Sequence, residues 1–182
     1  QRQGVKPHFL SRGYGGTTVA PTLVDPAHHS APDVGDEPLL LARHAPTWVA
    51  SNRVAGARAA VSAGAEVVIL DDGFQNPSLQ KDISILVVDG SYGFGNRRVM
   101  PAGPLRENLD DAIARADAVA IIGTDSHGIE ASLSDTKPTL AATFTHRIED
   151  DDLSGKTVFA FAGIGRPEKF FETLAEMGCD VV

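Results

Sequence analysis

Glu66-Val67-Val68-Ile69-Leu70-Asp71-Asp72-Gly73 is the stretch whose reading decides the fold. Its apolar run is largely β-branched, too short for a helix, and stops abruptly at two acids and a glycine. Ile83 to Val88 repeats the pattern and ends at Asp89-Gly90. Strands apolar on both faces are what a parallel sheet covered by helices requires. Toward the N-terminus, Arg53 to Ala63 reads as an Ala-rich helix stopped by Gly64, Thr47-Trp48-Val49 as a brief strand, and Pro7 to Leu10 as another. Residues 17–35, with Pro21, Pro26 and Pro32, read mostly as loop. Asp36-Glu37-Pro38 then opens a helix that continues to Arg43, with acids at its positive end and proline tolerated in the first turn.

Toward the C-terminus, Leu105 to Ala116 predicts a helix and Ala118 to Ile122 a strand ending at Gly123. Thr124 to Lys137 is polar, Thr139 to Arg147 an exposed or hinge strand, and Glu149-Asp150-Asp151-Asp152 a solvated acidic linker. The pattern restarts with a strand at Val158 to Ala162, a helix at Pro167 to Met177, and a last strand after Gly178. The recurring strand–helix–strand order predicts an α/β fold, a doubly wound and mostly parallel sheet. The expected organisation is a core over residues 1–137, a hinge over 138–156 and the start of a second α/β domain from 157.

The 182 residues carry a net charge of −8, which repels nucleic acid, so no nucleic-acid partner is expected. No run of eighteen apolar residues is present. The lone Cys179 cannot form an internal disulfide, which fits a reducing compartment. Adjacent His28 and His29 read as a solvated loop, and no structural zinc is expected. The chain opens on Gln1 and stops at Val181-Val182 on an unfinished strand, so it is expected to be a piece of something longer.

Ligands of an open parallel sheet bind beyond the carboxyl ends of its strands, and three clusters fall there. Asp71-Asp72 is a carboxylate pair of the kind that holds Mg²⁺ beside a nucleotide, although Asp and Gly also end strands simply as turn formers. Gly73-Phe74-Gln75-Asn76 adds a close backbone approach and two amides able to orient a ligand. Gly93-Phe94-Gly95-Asn96-Arg97-Arg98, with Pro101 to Glu107, supplies arginines around a rigid turn at an expected helix start, which suits phosphate oxygens. On that reading Glu107 is explained by the helix dipole, and Arg106 is not, because first-turn positions favour acids. In the third cluster, Arg12 within Ser11-Arg12-Gly13-Tyr14-Gly15-Gly16 could face an anion, while Asp36 reads first as an ordinary N-cap. Gly163-Ile164-Gly165-Arg166-Pro167-Glu168 is a poor dinucleotide fingerprint, since Glu168 stands at the third glycine and would repel pyrophosphate. No G-x-x-x-x-G-K-[ST] occurs anywhere in the chain.

In order along the chain, Leu10 to Gly16, Val34 to Leu40, Leu70 to Asn76, Leu86 to Asp89, Phe94 to Asn96, Pro101 to Glu107 and Phe161 to Phe171 together resemble the tetraacyldisaccharide 4′-kinase family. The resemblance implies phosphoryl transfer from ATP, with Mg²⁺, to the 4′-hydroxyl of a lipid A disaccharide precursor at the cytoplasmic face of the bacterial inner membrane. It also implies a P-loop-kinase-like α/β/α core, a β hinge and a second α/β domain. By position it makes Asp36 the catalytic aspartate and Arg106 a catalytic arginine. Asp71, Asp72 and Glu107 become the metal site, and Gln75 and Arg12 contacts to the nucleotide.

The family's phosphate loop and membrane-associating helix precede the first matching motif, and its catalytic histidine follows the last. This chain alone is therefore expected to be inactive, and Asn76 stands where some members carry His. The competing reading is a non-catalytic nucleotide- or sugar-binding α/β module.

Overall fold

Leu10, fully buried, is the residue on which the first sheet is built. It lies in β1 (Pro7–Ser11), opposite Trp48 of β3 (Thr47–Val49) on one side and Leu70 of β4 (Val67–Leu70) on the other, with both pairings parallel. A two-residue β2 (Thr22–Leu23) adds antiparallel to β3, giving the order β2-β3-β1-β4. The structure, a computed structural model, describes residues 4–144, 153–163 and 167–182.

Three helices attend this sheet. They are α1 (Ala31–Val34), α2 (Asp36–Ala42) and α3 (Arg53–Ser62). Helix α3 lies close on β1 because Gly56 has no side chain; a Cβ there would stand 2.6 Å from Leu10 Cδ1. Val24, Val34 and Val49, with Leu39 and Ala42 packed against them, form the accompanying core.

The second sheet is wholly parallel: β5 (Ile85–Asp89), β6 (Ala118–Ile122) and β7 (Thr139–Ala142), in that order. Val88, Val119 and Ile121 from its strands pack with Ile129 and Leu133 of α5 (Ile129–Leu133). Helix α4 (Leu109–Arg115) buries Leu109 and Ala112. These elements belong to one unit, residues 1–142; residues 143–182 form another. There β8 (Thr157–Val158) and β9 (Asp180–Val181) pair in parallel, and α6 (Pro167–Glu176) joins them, burying Leu174.

Several expectations are corrected. The two apolar runs are not covered on both faces. Exposure alternates along β4 and β5, leaving Val67, Ile69, Ile85 and Val87 open, because no described element packs on those sides. The helix expected from Leu105 begins only at Leu109, since Asn108 caps it by accepting from the amides of Asp110 and Asp111. Residues 17–35 are mostly loop, as expected, interrupted by the short β2 and α1, and the polar stretch 124–137 holds α5, whose first turn is gathered by Asp125. The strand expected from Thr139 is present as the exposed Thr139–Ala142, and it pairs with β6. The strand read at Val158 to Ala162 is confined to Thr157–Val158. The acidic stretch 149–152 and the turn at 164–166 lie outside the described residues.

Candidate active site

The carboxyl ends of β1, β3 and β4 lie side by side, as parallel pairing requires. The Asp71 amide donates to Leu10 O at 3.0 Å and the Ala50 amide to Ser11 O at 3.2 Å, so both ladders continue one step past the strands. Three segments therefore leave this edge together: Arg12-Gly13 from β1, Ala50 to Arg53 from β3, and Asp71-Asp72 from β4. Asp72 adopts φ +49, a left-handed backbone that costs a non-glycine residue roughly 1–2 kcal/mol. Such strain is held at positions the surrounding structure over-determines.

A second strand of chain comes to meet the carboxylates. The loop after β5 is braced by Asn96, whose amide donates to Ala102 O at 2.8 Å and whose carbonyl accepts from the Arg98 amide at 3.1 Å. From this loop Arg106 reaches Asp72, Nη1 donating to Oδ1 at 2.6 Å and to Oδ2 at 2.8 Å. That bond holds the guanidinium's pKa above its ordinary value. Glu107 accepts from Gln75 Nε2 at 3.1 Å and from Arg115 Nη2 at 2.7 and 2.8 Å. Arg115 also stacks over the Phe74 ring, 4.9 Å from its centroid. Gln75, Arg106 and Glu107 line an open cleft of about 230 Å³ together with Val87, Tyr92 and Phe94.

Asp36 is not an N-cap. Gly35 takes that place, and Asp36 is the first residue of α2, its Oδ1 accepting from the Glu37 amide at 3.0 Å. Glu37's pKa is raised, first by the charge of Asp71, then by burial, and further by Asp36 and Asp72. Four carboxylates thus share one field. Arg106 and Glu107 precede the cap of α4, so neither lies in a helical first turn, and the dipole explanation of Glu107 is withdrawn. Its partners are Gln75 and Arg115 instead. The carbonyl of Asn76 is spent locally, accepting from the Ser78 amide at 2.9 Å.

The structure therefore joins Asp72 with Arg106 and Gln75 with Glu107, and sets Asp36 in the same field as Asp71. Among the described residues no three His, Cys, Asp or Glu side chains are gathered closely enough to hold a metal ion. Sequence reading missed Arg115 and Arg53, and gave Glu37 no role beyond an acid beside Asp36 at the helix start. Arg53 is 6% exposed, and its Nη1 donates to Ala50 O at 2.6 Å. The signal for it was present, because an arginine stands at the first position of α3 where a helix favours acids.

A parallel α/β sheet whose carboxyl edge gathers an acid pair, an arginine and further carboxylates has the architecture of α/β phosphotransferases. The family model for tetraacyldisaccharide-1-P 4′-kinase matches residues 1–182. The tetraacyldisaccharide 4′-kinase of Paramagnetospirillum magneticum is 59% identical over 176 residues, covering 96% of this chain and 54% of that protein. The Rhodospirillum rubrum kinase is 55% identical over 186 residues, covering 100% and 56%. The crystal structure of LpxK from Aquifex aeolicus in complex with ATP superposes with a TM-score of 0.74 at 29% identity, covering 99% of this chain and 61% of that one. The chain belongs to the tetraacyldisaccharide 4′-kinase family, and it spans about half the length of the curated relatives it matches.

Proposed function

We propose that the full-length protein transfers the γ-phosphate of ATP to the 4′-hydroxyl of a tetraacyldisaccharide 1-phosphate, at the cytoplasmic face of the inner membrane. The observation that carries this is the meeting of Asp36, Asp71 and Asp72 at one sheet edge, with Arg106 clamped on Asp72. Phosphoryl transfer needs alignment, charge neutralisation and a base beside the attacking hydroxyl. Asp36, exposed at the start of α2, takes the hydroxyl proton, and Arg106 faces the charge that develops on the transferring group. Arg12 and Gln75 bind the nucleotide from either side of the acid pair.

The donor set suits magnesium. Mg²⁺ takes one or two carboxylates and fills its remaining positions with water and substrate phosphates, so a three-carboxylate cage is not needed. Asp71, Asp72 and Glu107 would hold it. When bound it neutralises phosphate charge. Among the described residues no helix is long and apolar enough to cross a membrane, and membrane attachment is assigned to the rest of the protein. The domain order completes the proposal: a kinase core to residue 137, a hinge over 138–156, and a second α/β domain from 157.

The test is transfer of labelled γ-phosphate from ATP to the disaccharide by the full-length protein, with the product's linkage located by mass spectrometry. Asp36→Ala lowers turnover at least a hundredfold while leaving the fold intact. Wild-type turnover in that variant removes Asp36 from the chemistry, and label found elsewhere than on the 4′-oxygen sinks the activity itself. The chain alone, with no G-x-x-x-x-G-K-[ST], gives no transfer. The alternative, a non-catalytic binder, predicts ATP binding without transfer by the full-length protein.

A further inference from the structure

Arg53 is placed against its own electrostatics twice over. Its side chain is 6% exposed, yet no ion pair among the described residues includes it. It also opens α3, a ten-residue helix with no acid in its first turn, where the dipole disfavours a cation. Among the described residues one donor is committed: Nη1 donates to Ala50 O. Its Nε is buried with no hydrogen-bond partner among the described residues. A buried polar atom without a partner calls for one, and for an enclosed guanidinium an anion is the partner that also offsets the desolvated charge.

The surroundings say where that anion sits. Asn52 caps the Ala55 amide and its carbonyl takes the Gly56 amide, which leaves the amides of Arg53 and Val54 as the helix's free donors. Arg12 stands beside them, because Ser11 at the end of β1 is opposite Val49 at the end of β3. Arg12 is close enough to depress the pKa of Arg53, second only to burial, while Asp71 and Asp72 act in the opposite sense from the β4 side. Two arginines and a helix start therefore share one sheet edge with the acid pair of β4.

We propose that Arg53, Arg12 and the first amides of α3 form a phosphate subsite, which holds a phosphoryl group of one substrate opposite Asp71-Asp72. Arg106 is committed to Asp72, so this pair supplies the positive charge on the other side of the acids. The ligand is a phosphate monoester or anhydride. The nucleotide brings it if Arg12 keeps the role proposed above; the phosphate already on the acceptor sugar is the other source. The inference deepens the kinase reading and rests on it only for which substrate brings the phosphate.

Calorimetric titration of the full-length protein with inorganic pyrophosphate tests the subsite without turnover. Arg12→Ala and Arg53→Met each weaken binding about tenfold or more, Arg53→Lys restores part of it, and exposed Arg58→Ala on the same helix leaves it unchanged. Steady-state kinetics then separate the sources. A raised KM for ATP alone assigns the nucleotide. A raised KM for the acceptor, lost when the acceptor lacks its 1-phosphate, assigns the sugar. If Arg53→Met does not fold, Arg12→Ala and Arg53→Lys decide the matter. Wild-type pyrophosphate binding and both KM values within twofold in those two folded variants overturn the subsite. Pyrophosphate binding that depends on these arginines in a protein with no kinase activity upholds the subsite and fails the proposed function instead.

Discussion

Gly35 joins α1 to α2 and sets the direction in which Asp36 leaves the backbone, so Gly35→Ala probes fold and site at once. Two costs are read from the structure. The residue adopts φ 89 and ψ 159, a region essentially reserved for glycine, at about 1–3 kcal/mol for any other residue. A Cβ there would stand 2.7 Å from Tyr14 O and 3.3 Å from the Gly13 carbonyl carbon, so the β1 loop and α2 must part; forced repacking of this kind costs about 1–3 kcal/mol. The sum is roughly 2–6 kcal/mol, or at the middle of that range a fall in Tm of about 8–16 °C for a unit of this size.

Two companion variants separate the terms. Gly64 has φ +92 with nothing within 4 Å of its would-be Cβ, so Gly64→Ala carries strain alone, about 1–2 kcal/mol. A Cβ on Gly16, which lacks the positive φ, would meet Asp33 O at 2.7 Å, so Gly16→Ala carries the clash alone. Urea titration followed by Trp48 is the assay. This single tryptophan sits on β3, donating from Nε1 to His8 Nδ1 at 3.2 Å, and so reports the first sheet. Gly35→Ala must be the worst of the three, and in the full-length protein it must lower kcat beyond the loss of folded protein. A Gly35→Ala chain as stable as Gly64→Ala would refute the close packing of the two loops.

Three further outcomes follow from the same contacts. Glu37→Gln stabilises the protein near neutral pH. Glu37's folded pKa is raised above its ordinary 4.5, so its contribution is fully present below that value and lost as pH rises through the folded one. The gain in Tm is therefore seen at about pH 8 and gone by about pH 4; a gain of equal size at both would show that charge is not its cause. Asn108→Ala removes the cap of α4 and costs about 1 kcal/mol in urea denaturation, whereas no change would mean that the Asp110 and Asp111 amides find water as readily. Arg106→Ala breaks an exposed ion pair and shifts stability by no more than about 1 kcal/mol, yet phosphoryl transfer by the full-length protein falls about 10²–10³-fold. Equal losses in both readouts would make Arg106 a structural residue.

The order of strands and helices was legible because each signal is local. Val67–Leu70 and Ala118–Ile122 are β-branched runs with turn formers behind them, and Asp36-Glu37-Pro38 carries its own helix start. Helix boundaries were less so. Leu105 to Ala116 has one composition throughout, and only the side chain of Asn108, folded back on two amides, shows where the helix begins. That shift changed the site argument. Arg106 precedes the cap of α4, and the arginine that stands in a helical first turn is Arg53.

By itself the amino-acid sequence determined the α/β class, the acids at strand ends and the family, since all three are written in short, ordered segments of chain. Tertiary structure alone decided which acids face which cations. Asp72 and Arg106 lie 34 residues apart, as Gln75 and Glu107 lie 32 apart, and each pairing is made only when the loop after β5 returns to the edge of the other sheet. Burial was likewise undecidable from composition. Parallel pairing sets Arg12, Ala50 and Asp71 just past three adjacent strand ends, with Arg53 at the helix start that follows β3, and packing strips water from Arg53 while leaving Arg12 and Asp36 open. Desolvation belongs to the folded surface as a whole, which no residue's neighbours in the chain encode.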